Sequence, residues 1–172
     1  MSFCLLQSNR LDVRDATADD AGTIAGIYNH YVETTVISFE EQPVTQGEMR
    51  QRIMDLQRDG LPWLVAVIDG HVAAYAYASK WRVRAAYRFS VESTVYVDEN
   101  HAGQGLGTLL YAALLARLRA AGLHLVVGGI ALPNDASVAL HEKMGFKKVA
   151  HFSEVGFKFG RWIDVGYWEL RM

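Results

Sequence analysis

Residues 92–107 read Glu-Ser-Thr-Val-Tyr-Val-Asp-Glu-Asn-His-Ala-Gly-Gln-Gly-Leu-Gly, and this stretch decides the fold. An apolar β-type run, Val91 to Val97, feeds a short polar loop. Gly103, Gly105 and Gly107 then fall at alternate positions before a long amphipathic segment. Glycine lets a backbone turn tightly and approach a ligand closely, because no Cβ stands in the way. Placed before a helix, such a loop aims several free N–H groups and the positive end of the helix dipole at one point, and that point suits a phosphate. The spacing is G-x-G-x-G, whereas the dinucleotide fingerprint needs G-x-G-x-x-G. A P-loop needs Lys and Ser/Thr after its last glycine, where this chain has Thr108-Leu109. On the glycines alone two readings stand: a phosphate-bearing cofactor at the end of a strand, or a tight strand-to-helix connection.

Working outward, the helix after the loop carries Leu106, Leu110, Ala113, Leu114 and Leu118 on one stripe and ends near Gly122. Leu125 to Ala131 is an almost unbroken apolar run, the mark of a strand covered on both faces. Strand, helix and buried strand make a βαβ unit with a right-handed crossover. Pro133 and Asn134 begin a short helix to Met144, and Gly145 is its natural C′ residue. Lys147 to Lys158 and Arg161 to Arg171 form a final antiparallel pair turned at Gly160.

Upstream, Leu11 to Arg14 reads as a first strand. Thr17 and Asp20 resemble a capping box ahead of Ile24, Ile27, Tyr28 and Tyr31 at helical spacing. A second box, Thr45 with Glu48, opens a helix through about Leu56, closed off by Gly60 and Pro62. Trp63 to Ile68 and Val72 to Ser79 flank Asp69-Gly70, a type I′ hairpin signal. A basic, aromatic loop from Lys80 to Tyr87 leads to a long strand, Arg88 to Val97. The expectation is one mixed α/β domain over residues 11–172 behind a flexible N-terminus, residues 1–10, without repeats or linkers.

The 172 residues suffice for one sizeable core but hardly for two domains. Half of them are apolar, a globular balance. Seventeen basic against nineteen acidic side chains leave a net charge of −2, and no Lys/Arg run supports a nucleic-acid or anionic-membrane partner. The lone Cys4 excludes an internal disulfide and fits a reducing compartment. The Phe3-Cys4-Leu5-Leu6 patch is too short for a signal peptide, and nothing approaches a membrane-spanning length, so a cytoplasmic protein is expected. His30, His71, His101, His124 and His151 show no paired metal spacing, and no metal is expected.

Five ordered segments carry a resemblance: Ile27-Tyr-Asn-His-Tyr31, Glu92-Ser-Thr-Val-Tyr-Val97, Leu132-Pro-Asn-Asp-Ala-Ser137, His141-Glu142 and Gly156-Phe-Lys-Phe-Gly-Arg-Trp-Ile-Asp-Val165. With the glycine loop they span nearly the whole chain. It resembles the GNAT superfamily of N-acetyltransferases and, more narrowly, the phosphinothricin and methionine sulfoximine acetyltransferase branch. The resemblance implies a central mixed sheet of about seven strands flanked by about four helices. It also implies acetyl-CoA lying between the strand ending at Val97 and the strand starting at Leu125, a place that agrees with the rule that ligands of α/β sheets sit at strand carboxyl ends.

On that resemblance Val95, Tyr96 and Val97 pair their backbone with the pantetheine arm, and Asn134 reaches the pantetheine or the departing sulfur unless it is only a helix cap. Ala102, Gly103, Gln104, Gly105, Leu106, Gly107 and Thr108 form the pyrophosphate loop. The family usually opens that loop with Gln or Arg where this chain has Ala102, so a side-chain contact is lost while the backbone amides remain. Glu92 is the candidate base that takes a proton from the attacking amine, against the alternative of a paired strand carboxylate. A strand N–H near Val95 would face the oxyanion.

His141 stands where most of the superfamily has Tyr and is the candidate proton donor to the thiolate, against a satisfied helix histidine. Among Lys80 to Arg88, Arg82, Arg84 or Arg88 could grip an amino-acid carboxylate in two-pronged fashion, with Phe39, Trp81 and Tyr87 walling the side chain. The activity implied is acetyl transfer to the α-amine of a small amino acid or analogue. Peptide, lysine or polyamine acceptors and a catalytically silent acyl-CoA sensor are the alternatives. Phe152, Phe157, Phe159, Trp162, Tyr167 and Trp168 offer more apolar surface than one sheet edge covers. The branch forms dimers through this region, so a homodimer is expected.

Overall fold

Trp63–Ile68 shows how this sequence makes its layers. Leu64 and Ala66 point into one apolar cluster, while Trp63, Val65 and Val67 point into another, the period-two alternation of a strand buried on both faces. In the computed structural model, which describes residues 11–172, this strand is β2 of a seven-stranded sheet. Its companions are β1 Leu11–Asp15, β3 His71–Lys80, β4 Ser90–Val97, β5 Leu125–Leu132, β6 Lys147–Lys158 and β7 Arg161–Arg171, in the order β1-β2-β3-β4-β5-β7-β6. Four helices cover it: α1 Ala21–Thr34, α2 Gln46–Arg58, α3 Leu106–Ala120 and α4 Asp135–Lys143. The expectations for residues 1–10, Cys4 included, lie outside the described residues. Among those described, no helix is long and apolar enough to cross a membrane.

The two faces are packed differently. Leu106, Leu110, Leu114 and Leu118 of α3 lie on Ala74, Ala76 and Ala78 of β3, and these small side chains let the helix sit close to the sheet. Each fully buried leucine contributes about 1.5–3 kcal/mol relative to exposure. The opposite face meets Ile24, Tyr28 and Val32 of α1 and Met49 and Ile53 of α2 through an aromatic layer, in which Trp63 and Tyr77 stack at 4.2 Å.

Boundaries moved in places. β4 starts at Ser90 rather than Arg88, because Ala85–Tyr87 curl into a 3-10 turn and the Phe89 carbonyl turns to accept from His124 and Leu125. Asp20 accepts from Thr17 N–H and Oγ as the box requires, but it closes a 3-10 turn that leads into α1, and Arg14 grips its carboxylate with two bonds of 2.7 and 2.8 Å. Gly103 and Gly105 adopt φ of 75° and 82°, as a tight loop demands. Gly107 is helical. Its lack of a Cβ serves packing, since one would stand 3.2 Å from Leu140 of α4.

One topological fact positions everything functional. β4 and β5, the only parallel neighbours among the described residues, pair over Ser90, Val91 and Glu92 against Leu125, Val126 and Val127, and then part. Past that point β3 still pairs with β4 and β7 with β5, so the sheet splits down its middle.

Candidate active site

The split opens clefts on both faces of the sheet. On the α3/α4 side, Ser93, Thr94, Val95 and Tyr96 of β4 face Ile130 and Ala131 of β5, with Tyr111, Asn134, Ser137 and His141 behind them. On the α1/α2 side a cleft of about 570 Å³ is walled by Tyr28, Ile37, Ser38, Phe39, Glu40, Val155, Val165 and Tyr167. Ile37, Glu92, Tyr96, Gly129 and Ala131 line both. Glu92 is therefore the one carboxylate shared by the two sides among the described residues.

Glu92 is the last residue of β4 paired to β5, and its side chain is largely enclosed. Burial pushes its carboxyl above the usual range, and the positive charge of Arg82 pulls partly the other way. Across from it, β5 places glycines at consecutive positions. A Cβ on Gly128 would meet the His141 ring at 2.4 Å, and one on Gly129 would meet the Glu92 carboxylate at 3.0 Å.

His141 is 3% exposed and has both ring nitrogens engaged. Nδ1 lies 2.7 Å from the Ser137 carbonyl, which can only accept, so Nδ1 carries the proton. Nε2 then accepts from the Tyr111 hydroxyl at 2.9 Å, and Tyr111 also meets Ser93 Oγ at 3.2 Å. Burial holds the imidazole below its ordinary pKa and the phenol above its own. At neutral pH the pair is an uncharged chain, Ser93–Tyr111–His141.

The glycine loop follows β4 and opens α3. The first amide to enter the α3 ladder is that of Leu109, donating to Gly105, so the N–H groups of Leu106, Gly107 and Thr108 precede it. Open space lies where Cβ atoms of Gly103 and Gly105 would stand. This arrangement fits an anionic diphosphate, with the strand edge beyond Glu92 left for an extended arm. Within that edge the Val97 carbonyl already accepts from Tyr31 Oη, which leaves the Ser93–Tyr96 stretch as the edge exposed to the cleft. Asn134 caps α4 by accepting from Ser137 N–H at 3.1 Å and also lines the cleft, so its two readings coexist. Among the described residues, no three His, Cys, Asp or Glu side chains converge on a metal position.

The expected acceptor residues divide. Phe39 lines the cleft. Arg82 lies over Trp81 at 4.0 Å, and Trp81 packs edge-on against Tyr167 of the cleft wall, which brings the guanidinium within electrostatic reach of Glu92. Arg84 precedes the 3-10 turn and Tyr87 ends it, and Arg88 lies over Phe89 and donates to the Ala85 carbonyl; these three, like Arg82 itself, line neither cleft. Sequence reasoning passed over Tyr28, Glu40, Tyr111 and Gly128-Gly129. Paired glycines inside an apolar strand were the available signal, since they mark a close approach.

A split sheet, free main-chain amides at the start of α3 and a largely enclosed carboxylate shared by the two clefts fit a group-transfer enzyme whose donor is carried on a nucleotide. Residues 24–146 match the profile of the acetyltransferase (GNAT) family. A phosphinothricin N-acetyltransferase of Streptomyces viridochromogenes is 45% identical over 92% of this chain and 86% of its own. An L-methionine sulfoximine/L-methionine sulfone acetyltransferase of Pseudomonas aeruginosa is 38% identical over 93% and 94%. The structure of a phosphinothricin acetyltransferase from Sinorhizobium meliloti in complex with acetyl-CoA superposes with a TM-score of 0.91 at 36% identity, covering 94% of this chain and 88% of that one. The chain belongs to the acetyltransferase (GNAT) family and is an acetyl-CoA-dependent N-acetyltransferase.

Proposed function

We propose that residues 11–172 form a domain that acetylates the α-amine of a small amino acid or analogue of the phosphinothricin, methionine sulfoximine or methionine sulfone type. The observation that carries this reading is Glu92: it faces a donor-side cleft and an acceptor-side cleft of amino-acid size at once.

Acetyl-CoA would supply the activated acyl group, held by the amides of Gly103 to Thr108, by the β4 edge at Val95 and Tyr96, and by Asn134. Glu92 takes the proton from the amine, directly or through a water, and its raised pKa suits it to hold that proton. A main-chain N–H of β4 near Val95 faces the oxygen on which charge develops. The Tyr111–His141 pair stands on the donor side as the proton source for the leaving sulfur. His141, neutral and bonded at both nitrogens, acts there by orienting Tyr111. Arg82 serves the acceptor carboxylate, while Phe39 and Tyr167 enclose the side chain.

The subunit is proposed to work as a homodimer. Val149, Phe152, Phe157, Phe159 and Trp162 stand exposed on β6, on its turn into β7 and at the start of β7, and β6 is the sheet edge. Trp168, expected on that surface, is core at 2% exposure, and Tyr167 faces the cleft. Cysteine usage supports residence in the cytoplasm.

Thiol release from acetyl-CoA tests the acceptor class. Methionine sulfoximine, methionine sulfone and phosphinothricin should each release thiol, and a peptide and spermidine should not. Turnover confined to the peptide or spermidine, or binding of acetyl-CoA with no release, overturns the reading.

A further inference from the structure

Lys158 of β6 is a buried cation, 2% exposed, outside the chemistry described above. Its ammonium donates to two main-chain carbonyls, Val32 at 2.6 Å and Ser38 at 2.7 Å, while Glu40 and Glu41 attract it from farther away. A buried charge is tolerated only with strong partners, and these two are well chosen. Val32 lies in the last turn of α1, where carbonyls lack helical donors and the helix dipole is negative. Ser38 belongs to the connection between α1 and α2 that supplies Ile37, Ser38, Phe39 and Glu40 to the acceptor cleft. One ammonium thus ties a helix end to the cleft wall.

A second contact from the same strand acts on the same wall. Gly156 stands two residues before Lys158 on the same face of β6, and a Cβ there would lie 2.4 Å from the Phe39 ring. From the other side, Tyr28 Oη meets Ser38 Oγ at 2.7 Å and donates to Glu40 at 3.0 Å, and Arg52 holds Glu40. Residues 37–40 are clamped between β6 and the two helices.

We propose that Lys158 is a positioning residue for the acceptor: it holds residues 37–40 in place as the cleft wall and so sets acceptor affinity without touching the reacting atoms. The proposal rests on the reading of this cleft as the amino-acid site. Lys158→Met keeps the length and apolar stem and removes the donor. The expected result is an acceptor KM raised about tenfold or more, the loss of a charged hydrogen bond, with kcat and the KM for acetyl-CoA changed by less than about threefold. Amides 35–41 should also exchange hydrogen faster in the free variant. Gly156→Ala, which displaces Phe39 and leaves the charge alone, should give the same KM signature.

A folded Lys158→Met protein with unchanged acceptor KM and unchanged exchange overturns the proposal. So does a loss spread evenly over kcat, acetyl-CoA KM and melting temperature. Should Lys158→Met not fold, an unchanged acceptor KM in Gly156→Ala overturns it instead. If the wild type acetylates no amino acid, the acceptor assignment fails, and exchange at 35–41 then decides for or against the clamp by itself.

Discussion

The Glu92 carboxylate stands 3.0 Å from the point that a Cβ on Gly129 would occupy, and the Tyr167 ring stands 3.1 Å from it. The preceding residue, Gly128, makes the same room for His141. Consecutive residues of a strand face opposite sides of a sheet, so one Gly-Gly pair admits a working side chain on each face. Gly129→Ala should leave the fold intact and push Glu92 and Tyr167 outward. Activity against any acceptor should fall about tenfold or more, while acetyl-CoA affinity measured by calorimetry stays near the wild-type value.

Removing the carboxylate itself should separate activity from stability. Glu92→Gln should lower kcat/KM by about a hundredfold or more, the usual worth of a general base. Burial raises this carboxyl's pKa in the folded state. The group therefore favours folding when protonated, and that contribution is lost as pH rises through the folded pKa. Thermal melts should show the Gln variant more stable than wild type at neutral pH, with the gap closing in acid, and wild-type kcat/KM should rise with pH through the same ionisation.

Tyr111→Phe leaves His141 Nε2 buried without its donor, at a cost of about 1–3 kcal/mol in urea unfolding at pH 7. The folded pKa of His141 lies below its ordinary value. Its contribution to stability is complete above the unfolded value of about 6.5 and is lost as pH falls below it. Wild-type protein should therefore weaken on acidification, and His141→Gln should flatten that part of the profile.

The arginines can be told apart. Arg82→Ala should raise the acceptor KM about tenfold. It should also shift the pH–rate profile to higher pH, because the Arg82 charge holds the Glu92 pKa down. Arg84→Ala should do neither. Equal effects from the two would mean that the loop acts through its net charge.

The seven strands and four helices were legible because each has its own period, cap or turn, as with Thr45 and Glu48 at α2 or Asp69-Gly70 between β2 and β3. The glycine loop was legible for the same local reason. The split between β4 and β5 was not, since it depends on which residues pair across strands, although the resemblance marked its place. Nor could the Arg cluster be sorted, because the rings that Arg82 and Arg88 lie over, Trp81 and Phe89, and the reach of Arg82 to Glu92 are set by folding and not by spacing. Tyr111 and His141 lie 30 positions apart and meet only through helix packing. Trp168 was misplaced on the surface although period two along β7 sets it opposite Tyr167, which a stricter alternation count would have shown.

Three residue pairs are all that rivet β1 through β4 to the other three strands along the parallel seam. On the proposed placement, a donor whose extended arm lies in the gap would supply the missing rung, and saturation with acetyl-CoA would make the scaffold itself more cohesive. Its loading state should then be readable as heat resistance, growing with the logarithm of donor concentration.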